Sequence, residues 1–309
     1  LAEMWGIAPT AEMNDGVVGV GQDAQGALWI ATRHYGLLVA DPQQQRFTWA
    51  RADQTNERAL LHNSLRSLYV SPDKSVIWLG TAKSGLAYYS ESAFKFQTDV
   101  KYDVTAIAPA GSDAYWLATS KHGILGYNTK TGEISALKTS VNLPEYEIFS
   151  LLAARDGSLW AGTNKGLVLR LHQGNATTFP VVDAEGKPAA YAVTSLLDDE
   201  RGNIWIATLG GGLQCLDPRT SKRVVYGKDS HRMPSDKVNS LSMTKDKKML
   251  IGTPAGVVLL QPESGQLTSY TGCQKGNTLF TSQYVNQVIE DSRGLWWIAT
   301  RDGINIYNP

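Results

Sequence analysis

The stretch Val285-Asn286-Gln287-Val288-Ile289-Glu290-Asp291-Ser292-Arg293-Gly294-Leu295-Trp296-Trp297-Ile298-Ala299-Thr300-Arg301-Asp302-Gly303-Ile304-Asn305-Ile306-Tyr307 is one copy of a pattern that fills the chain. It holds an apolar run, an Asp-to-Gly turn, a Trp-centred run ending in a small residue and Thr, a turn closing on Gly, and a third apolar run. Short apolar runs bounded by such turn residues are strands joined by hairpins. The copies centre on Trp29, Trp78, Trp116, Trp160, Trp205, Leu250 and Trp297, 38 to 49 residues apart. The pair after the central run recurs as well, as Ala31-Thr32, Gly80-Thr81, Ala118-Thr119, Gly162-Thr163, Ala207-Thr208, Gly252-Thr253 and Ala299-Thr300.

A strand-type unit repeated at this period is the signature of a β-propeller. The expected architecture is all-β, a seven-bladed propeller of four-stranded antiparallel blades in one domain over residues 1–309. Blades are expected at 16–60, 61–101, 102–146, 147–190, 191–235, 236–283, and 284–309 plus 1–10. Candidate fourth strands are Arg46-Phe47-Thr48-Trp49, Glu133-Ile134-Ser135, Arg223-Val224-Val225-Tyr226 and Gln266-Leu267-Thr268-Ser269-Tyr270. The last blade has no such segment before Pro309, so Met4-Trp5-Gly6-Ile7 is expected to supply its fourth strand and close the ring.

Within each unit, Asp23, Asp156, Asp199 and Asp291 are expected to close the first hairpin through their carboxylates, with Gly accepting left-handed dihedrals nearby. These are structural acids, since no calcium-loop pattern surrounds them. The innermost strand has Gly19, Ser67, Ala106, Ser150, Ser195, Ser240 and Gln287 at its third position. Small residues suit strands that converge on an axis.

Lys plus Arg and Asp plus Glu number 29 each, so no global field draws the chain to nucleic acid, and electrostatic recognition must be local. There is no apolar run long enough to span a bilayer and no charged-then-apolar leader, so neither a membrane span nor a signal peptide is expected here. Cys215 and Cys273 lack metal-type spacing and read as free or buried thiols.

The turn after the Trp strand should lie on the same face of the disc as the connection into the next blade. Those turns contain Arg33-His34-Tyr35, Lys83, Lys121-His122, Lys165 and Arg301, so five of seven carry a cation. Such a ring would favour an anionic ligand such as an acidic glycan, with Tyr35 offering an apolar face to a sugar ring. Solvated turns that are basic without a ligand are the plainer alternative. The connection from Gln173 to Tyr191 is expected to overhang this face as a rim loop. No catalytic residue, metal ligand or cofactor site is assigned.

Val193-Thr194-Ser195-Leu196, Gly202-Asn203-Ile204-Trp205-Ile206-Ala207-Thr208, Gly210-Gly211-Gly212-Leu213 and the terminal Gly303-Ile304-Asn305-Ile306-Tyr307 together resemble the two-component regulator propeller repeat. The resemblance covers essentially the whole chain. It implies a periplasmic sensor module of a hybrid histidine kinase that detects oligosaccharides from polysaccharide breakdown, with neighbouring receptor domains and a second copy as partners. No kinase motif lies between Leu1 and Pro309, so this chain is not expected to be an enzyme. Two alternatives stay open: a propeller enzyme resembling the antibiotic-cleaving lyases, and a purely structural or protein-interaction propeller. The lyases need a His and carboxylates around a metal, and here His34, His122 and Asp302 fall in separate blades.

Overall fold

The computed structural model describes residues 16–41, 46–53, 55–56, 59–82, 84–90, 97–100, 102–271, 273–274, 277–278 and 280–309. They form seven antiparallel blade sheets whose strands pair in chain order, inner to outer, and a two-stranded hairpin of Cys273–Gln274 with Asn277–Thr278 between blades six and seven. The inner strands are Val17–Gln22, Leu65–Val70, Val104–Pro109, Ile148–Ala153, Val193–Asp198, Ser240–Met243 and Val285–Glu290. Each packs on the next, and the seventh packs on the first, so the sheets close into a ring. The protein is a seven-bladed β-propeller. Blades one to six have four strands each, and blade seven has three among the described residues. The proposed closing strand at Met4–Ile7 lies outside the described residues. Blade seven meets blade one without it: Val20 N–H donates to Gln287 Oε1 at 2.6 Å, and Ser292 N–H to Gln22 Oε1 at 3.1 Å.

The core sits between the blades, and the Trp of one blade supplies most of each interface. Trp29 packs among Leu65, Ile77 and Leu79 of blade two, Trp205 among Val238, Met249 and Ile251 of blade six, and Trp297 among Val17, Leu28 and Ile30 of blade one. Leu250 takes that place between blades six and seven, against Val288, Trp296 and Ile298. A large side chain in this column and apolar neighbours on the next blade make the ring cohere without one central core.

The small residue before each Thr has a steric cause. Ser67 pairs with Gly80, Ser150 with Gly162 and Ser240 with Gly252 in the sheet register. A Cβ at Gly80 would come within 2.2 Å of Ser67 Oγ and 2.6 Å of the Val104 carbonyl, so Gly is required at this position. Where the residue before Thr is Ala, its partner is Gly19, Ala106, Ser195 or Gln287. Gln287 is the one long residue in this column, and it is accommodated by reaching across to Val20.

The fourth strands lie at Arg46–Ala50, Gln97–Val100, Ile134–Ala136, Asn175–Pro180, Arg223–Tyr226 and Leu267–Tyr270. Those in blades two and four are not among the four candidates read from turn signals. Asn175–Pro180 shortens the expected rim loop, because about a third of it is outer strand.

Candidate functional site

Inner strands run away from one face of the disc and Trp strands return to it, so the post-Trp turns and the blade-to-blade connections share that face, here called the turn face. Every turn there is built on the same Thr. The hydroxyls of Thr32, Thr81, Thr119 and Thr208 donate to the carbonyls of Gly36, Gly85, Gly123 and Gly212 at 2.8 to 2.9 Å. Thr163, Thr253 and Thr300 donate likewise to Leu167, Gly256 and Gly303 at 2.8 to 3.0 Å. Each hydroxyl also accepts a backbone N–H from within its turn, as Gly211 N–H shows at 2.8 Å. All seven Thr are buried, which makes both bonds stabilising and either loss costly.

A second bond ties turn to connection. The N–H after Thr donates to the residue before the inner strand: Arg33 to Gly16, Ala82 to Ser64, Ser120 to Asp103, Asn164 to Glu147, Leu209 to Ala192 and Arg301 to Tyr284, at 2.9 to 3.2 Å. The equivalent residue in blade six is Pro254, which has no N–H. There Asn239 N–H donates to the Gly252 carbonyl at 2.8 Å instead, and the inner strand begins two residues late, at Ser240. The frame is common to the face, and the residues between its anchor points are free to differ.

Arg33, His34 and Tyr35 are exposed on this frame in blade one, Lys121 and His122 in blade three, Lys165 in blade four and Arg301 in blade seven. Lys83 lies outside the described residues. Several of these side chains meet aromatic rings contributed by the connections. The Arg301 guanidinium lies 4.3 Å from the Tyr284 ring centre, Lys165 Nζ lies 5.4 Å from that of Tyr146, and the His122 ring meets Tyr102 edge-on at 4.8 Å. Lys165 also donates to the Glu145 carbonyl at 3.0 Å, with exposed Glu145 and Glu147 close by. The ring of cations is therefore interleaved with half-buried tyrosines and, in blade four, with acids.

Blades five and six differ. Their turns are Leu209-Gly210-Gly211 and Pro254-Ala255, without charge. Tyr191 lies against the glycines there, and a Cβ on Gly210 would stand 2.6 Å from its ring. The chain at 181–191 crosses this sector as a hairpin held from below by Gln214, which accepts from Val182 N–H at 3.3 Å and donates to the Val182 carbonyl at 2.7 Å. Gln214 is fully buried. It stands where the other third strands carry Leu38, Ala87, Leu125, Leu169, Val258 and Asn305, and both polar members of this column anchor a connection, since Asn305 accepts from Thr281 N–H at 2.9 Å. The connection tyrosines Tyr102, Tyr146, Tyr191 and Tyr284 could have been found in the same way, one or two residues ahead of four of the seven inner strands.

On the opposite face the hairpin acids hold the Trp column. Asp23, Asp199 and Asp291 each accept an indole N–H six residues on, from Trp29, Trp205 and Trp297, at 2.8 to 3.0 Å. In blade four the link runs from Trp160 to Ser158 Oγ at 2.9 Å. In blade two Pro72 occupies the equivalent place, Asp73 is engaged by Ser71 and Ser75, and the buried Trp78 indole N–H meets no carboxylate or hydroxyl of its hairpin among the described residues. Asp73 is thereby held down to about 2 by hydrogen bonds, that from Ser71 foremost. Burial pushes the Cys215 thiol up to about 12, which leaves it an inert filler. Among the described residues no three of His, Cys, Asp and Glu come together as a metal site. No helix among them is long and apolar enough to cross a membrane.

Residues 142–165 and 188–210 match the family model described as the two component regulator propeller. Each match opens in a connection on the turn face, takes in an inner strand and a Trp strand, and ends within the turn after Thr. These two stretches, in blades four and five, carry the two component regulator propeller repeat. The fold is shared with the extracellular domains of the hybrid two component systems BT3049 and BT4673 from B. thetaiotaomicron. BT3049 has TM-score 0.78 and 24% identity over 97% of this chain and 41% of that one; BT4673 has 0.77 and 23% over 98% and 39%. The repeat chain thus spans about two fifths of those ectodomains. Streptogramin B lyase is similar in fold too, with TM-score 0.73 and 15% identity over 97% of this chain and 95% of the lyase. No curated protein matches the sequence.

Proposed function

We propose that this propeller is a sensor module of a two-component receptor, lies outside the cytoplasm, and recognises an oligosaccharide on its turn face. The observation that carries the reading is the match of two repeats to the regulator propeller model, both beginning in connections that cross this face. The fold shared with two-component ectodomains over nearly the whole chain supports it. The physical side is consistent: a Thr-built frame presents variable residues, with tyrosine faces for sugar rings and cations for acidic groups. Neighbouring receptor domains are the natural partners, and a second copy would pair two such receptors.

A ligand that binds only the folded domain raises its stability in proportion to its concentration over Kd. A thermal-shift screen of the chain against neutral and acidic oligosaccharides, at low and moderate salt, tests the reading. The expected result is an upward shift that grows with ligand concentration, and with acidic sugars one that shrinks as salt rises. No shift with any oligosaccharide would set the sugar-sensing reading aside in favour of a protein-binding propeller. The lyase likeness is one of fold, and an unchanged streptogramin after incubation with the protein and divalent metal is the expected outcome there.

A further inference from the structure

Each inner strand starts at the turn face, so its second residue stands near the mouth of the central channel. In six blades the register slips at that residue, which sits in a bulge: Val18, Arg66, Thr105, Phe149, Thr194 and Asn286. In blades three, five and six the position has a structural task. Thr105 Oγ1 donates to the Ile148 carbonyl at 2.6 Å, Thr194 Oγ1 to Val238 at 2.6 Å, and Asn239 Nδ2 to Val285 at 2.7 Å, each bond stitching an inner strand to the next.

Among the described residues blades one, two, four and seven show no such bond, and in two and four the residue at the position is also exposed. Arg66 and Phe149 occupy the position, cannot make the stitch in the same way, and are both exposed, Phe149 at 36%. Among the described residues Arg66 pairs with no acid. Phe149 leaves about a third of its surface open at the channel mouth, and a bulge is a common means of re-aiming a side chain at a site.

We propose that the channel mouth over blades two to four binds a ring-bearing carboxylate, with Arg66 taking the carboxylate and Phe149 the apolar face of the ring. A guanidinium pairs with a carboxylate through two parallel N–H bonds, and an aromatic face covers the C–H side of a saturated ring. A uronate sugar offers both groups on one ring. The proposal rests on the reading of the turn face as the ligand face, and it adds the ligand's chemistry and the residues that select it.

The test uses the 309-residue chain and calorimetric titration with trimers of galacturonate, glucuronate and mannuronate, each beside its methyl ester, which keeps the ring and removes the charge. At least one acid trimer is expected to bind about tenfold or more tightly than its ester. Arg66→Gln should bring that acid to the level of its ester, Arg66→Lys should restore part of the difference, and Phe149→Ala should weaken acid and ester alike. Unchanged melting temperatures for these exposed-site variants would confirm that folding is not the cause. An ester that binds as well as its acid, or Arg66→Gln binding the acid as wild type does, would overturn the proposal. If all uronates fail while a neutral oligosaccharide binds, this inference falls and the sensor reading stands; if no oligosaccharide binds at all, both fall.

Discussion

The two faces of the disc use the same repeat in opposite ways. On the Trp-hairpin face the informative residues are those that recur: Asp23, Asp199 and Asp291 receive the indoles of Trp29, Trp205 and Trp297 with nearly the same geometry. On the turn face the recurring residue, Thr, is buried and holds the frame, while the exposed residues above it change from blade to blade. Recurrence therefore marks structure, and departure from recurrence marks the surface free to recognise something. Blade two adds a caution, because Pro72 and the displaced Asp73 break the pattern on the structural face and leave the Trp78 indole without a carboxylate or hydroxyl of its hairpin among the described residues.

The sharpest way to test that division is to remove a ring from the Trp column. Trp297 is fully buried at the closing interface of blades seven and one, so Trp297→Ala should cost about 3–5 kcal/mol. Urea unfolding monitored by circular dichroism would read it as a lower midpoint. A loss below about 1 kcal/mol would break the claim that interblade packing carries the fold.

Thr208→Val tests the turn frame. It strips the hydroxyl that serves both the Gly212 carbonyl and the Gly211 N–H, and should cost about 1–3 kcal/mol by the same measurement.

Asp291 gives a pH test of its own. Burial raises its carboxyl, but hydrogen bonds from the Trp297 indole, from the backbone of Leu295 and Arg293 and from the Arg293 side chain outweigh that and hold it below the usual carboxylate range. Its contribution is therefore complete above about pH 4, where the unfolded carboxyl is ionised, and is lost as pH falls through the lower folded value. Between pH 6 and pH 3 the urea midpoint of wild type should fall further than that of Asp291→Asn. Equal falls would mean that this acid is not one of the groups that protonation dislodges.

The smallest effect belongs to the turn-face cations. Lys121→Ala and Arg33→Ala should each change stability by less than about 0.5 kcal/mol, since exposed charges contribute little to folding. A larger loss would move them from the variable surface into the frame.

Seven copies in one chain served as an internal alignment, and this is why so much of the fold was legible. The Trp column, the small residue before Thr and the inner-strand register all show as columns in the sequence, because each copy meets the same steric surroundings. The outer strands were harder. Gln97–Val100 and Asn175–Pro180 lack the Asp-Pro or Thr-Gly turns that flag the others, and an edge strand packed on one side needs little apolar pattern. The turn-face cations could be placed from sequence, but their surroundings could not: Tyr102, Tyr146 and Tyr284 reach them from the connections, at separations set by the closing of each blade on the next. Arg66 and Phe149 stood in plain view as odd members of a column. Their meaning came only with the bulges and with the stitching bonds that three of their counterparts make.

The most direct measurement of the division between the faces is ligand binding by two variants of matched charge change. Arg33→Glu with Lys121→Glu alters the turn face, and Lys130→Glu with Lys247→Glu alters exposed lysines on the opposite face. For any acidic oligosaccharide that shifts the melting temperature of wild type, the turn-face variant should lose the shift and the other should keep it. Loss in the second variant with retention in the first would place recognition on the hairpin face and contradict the account.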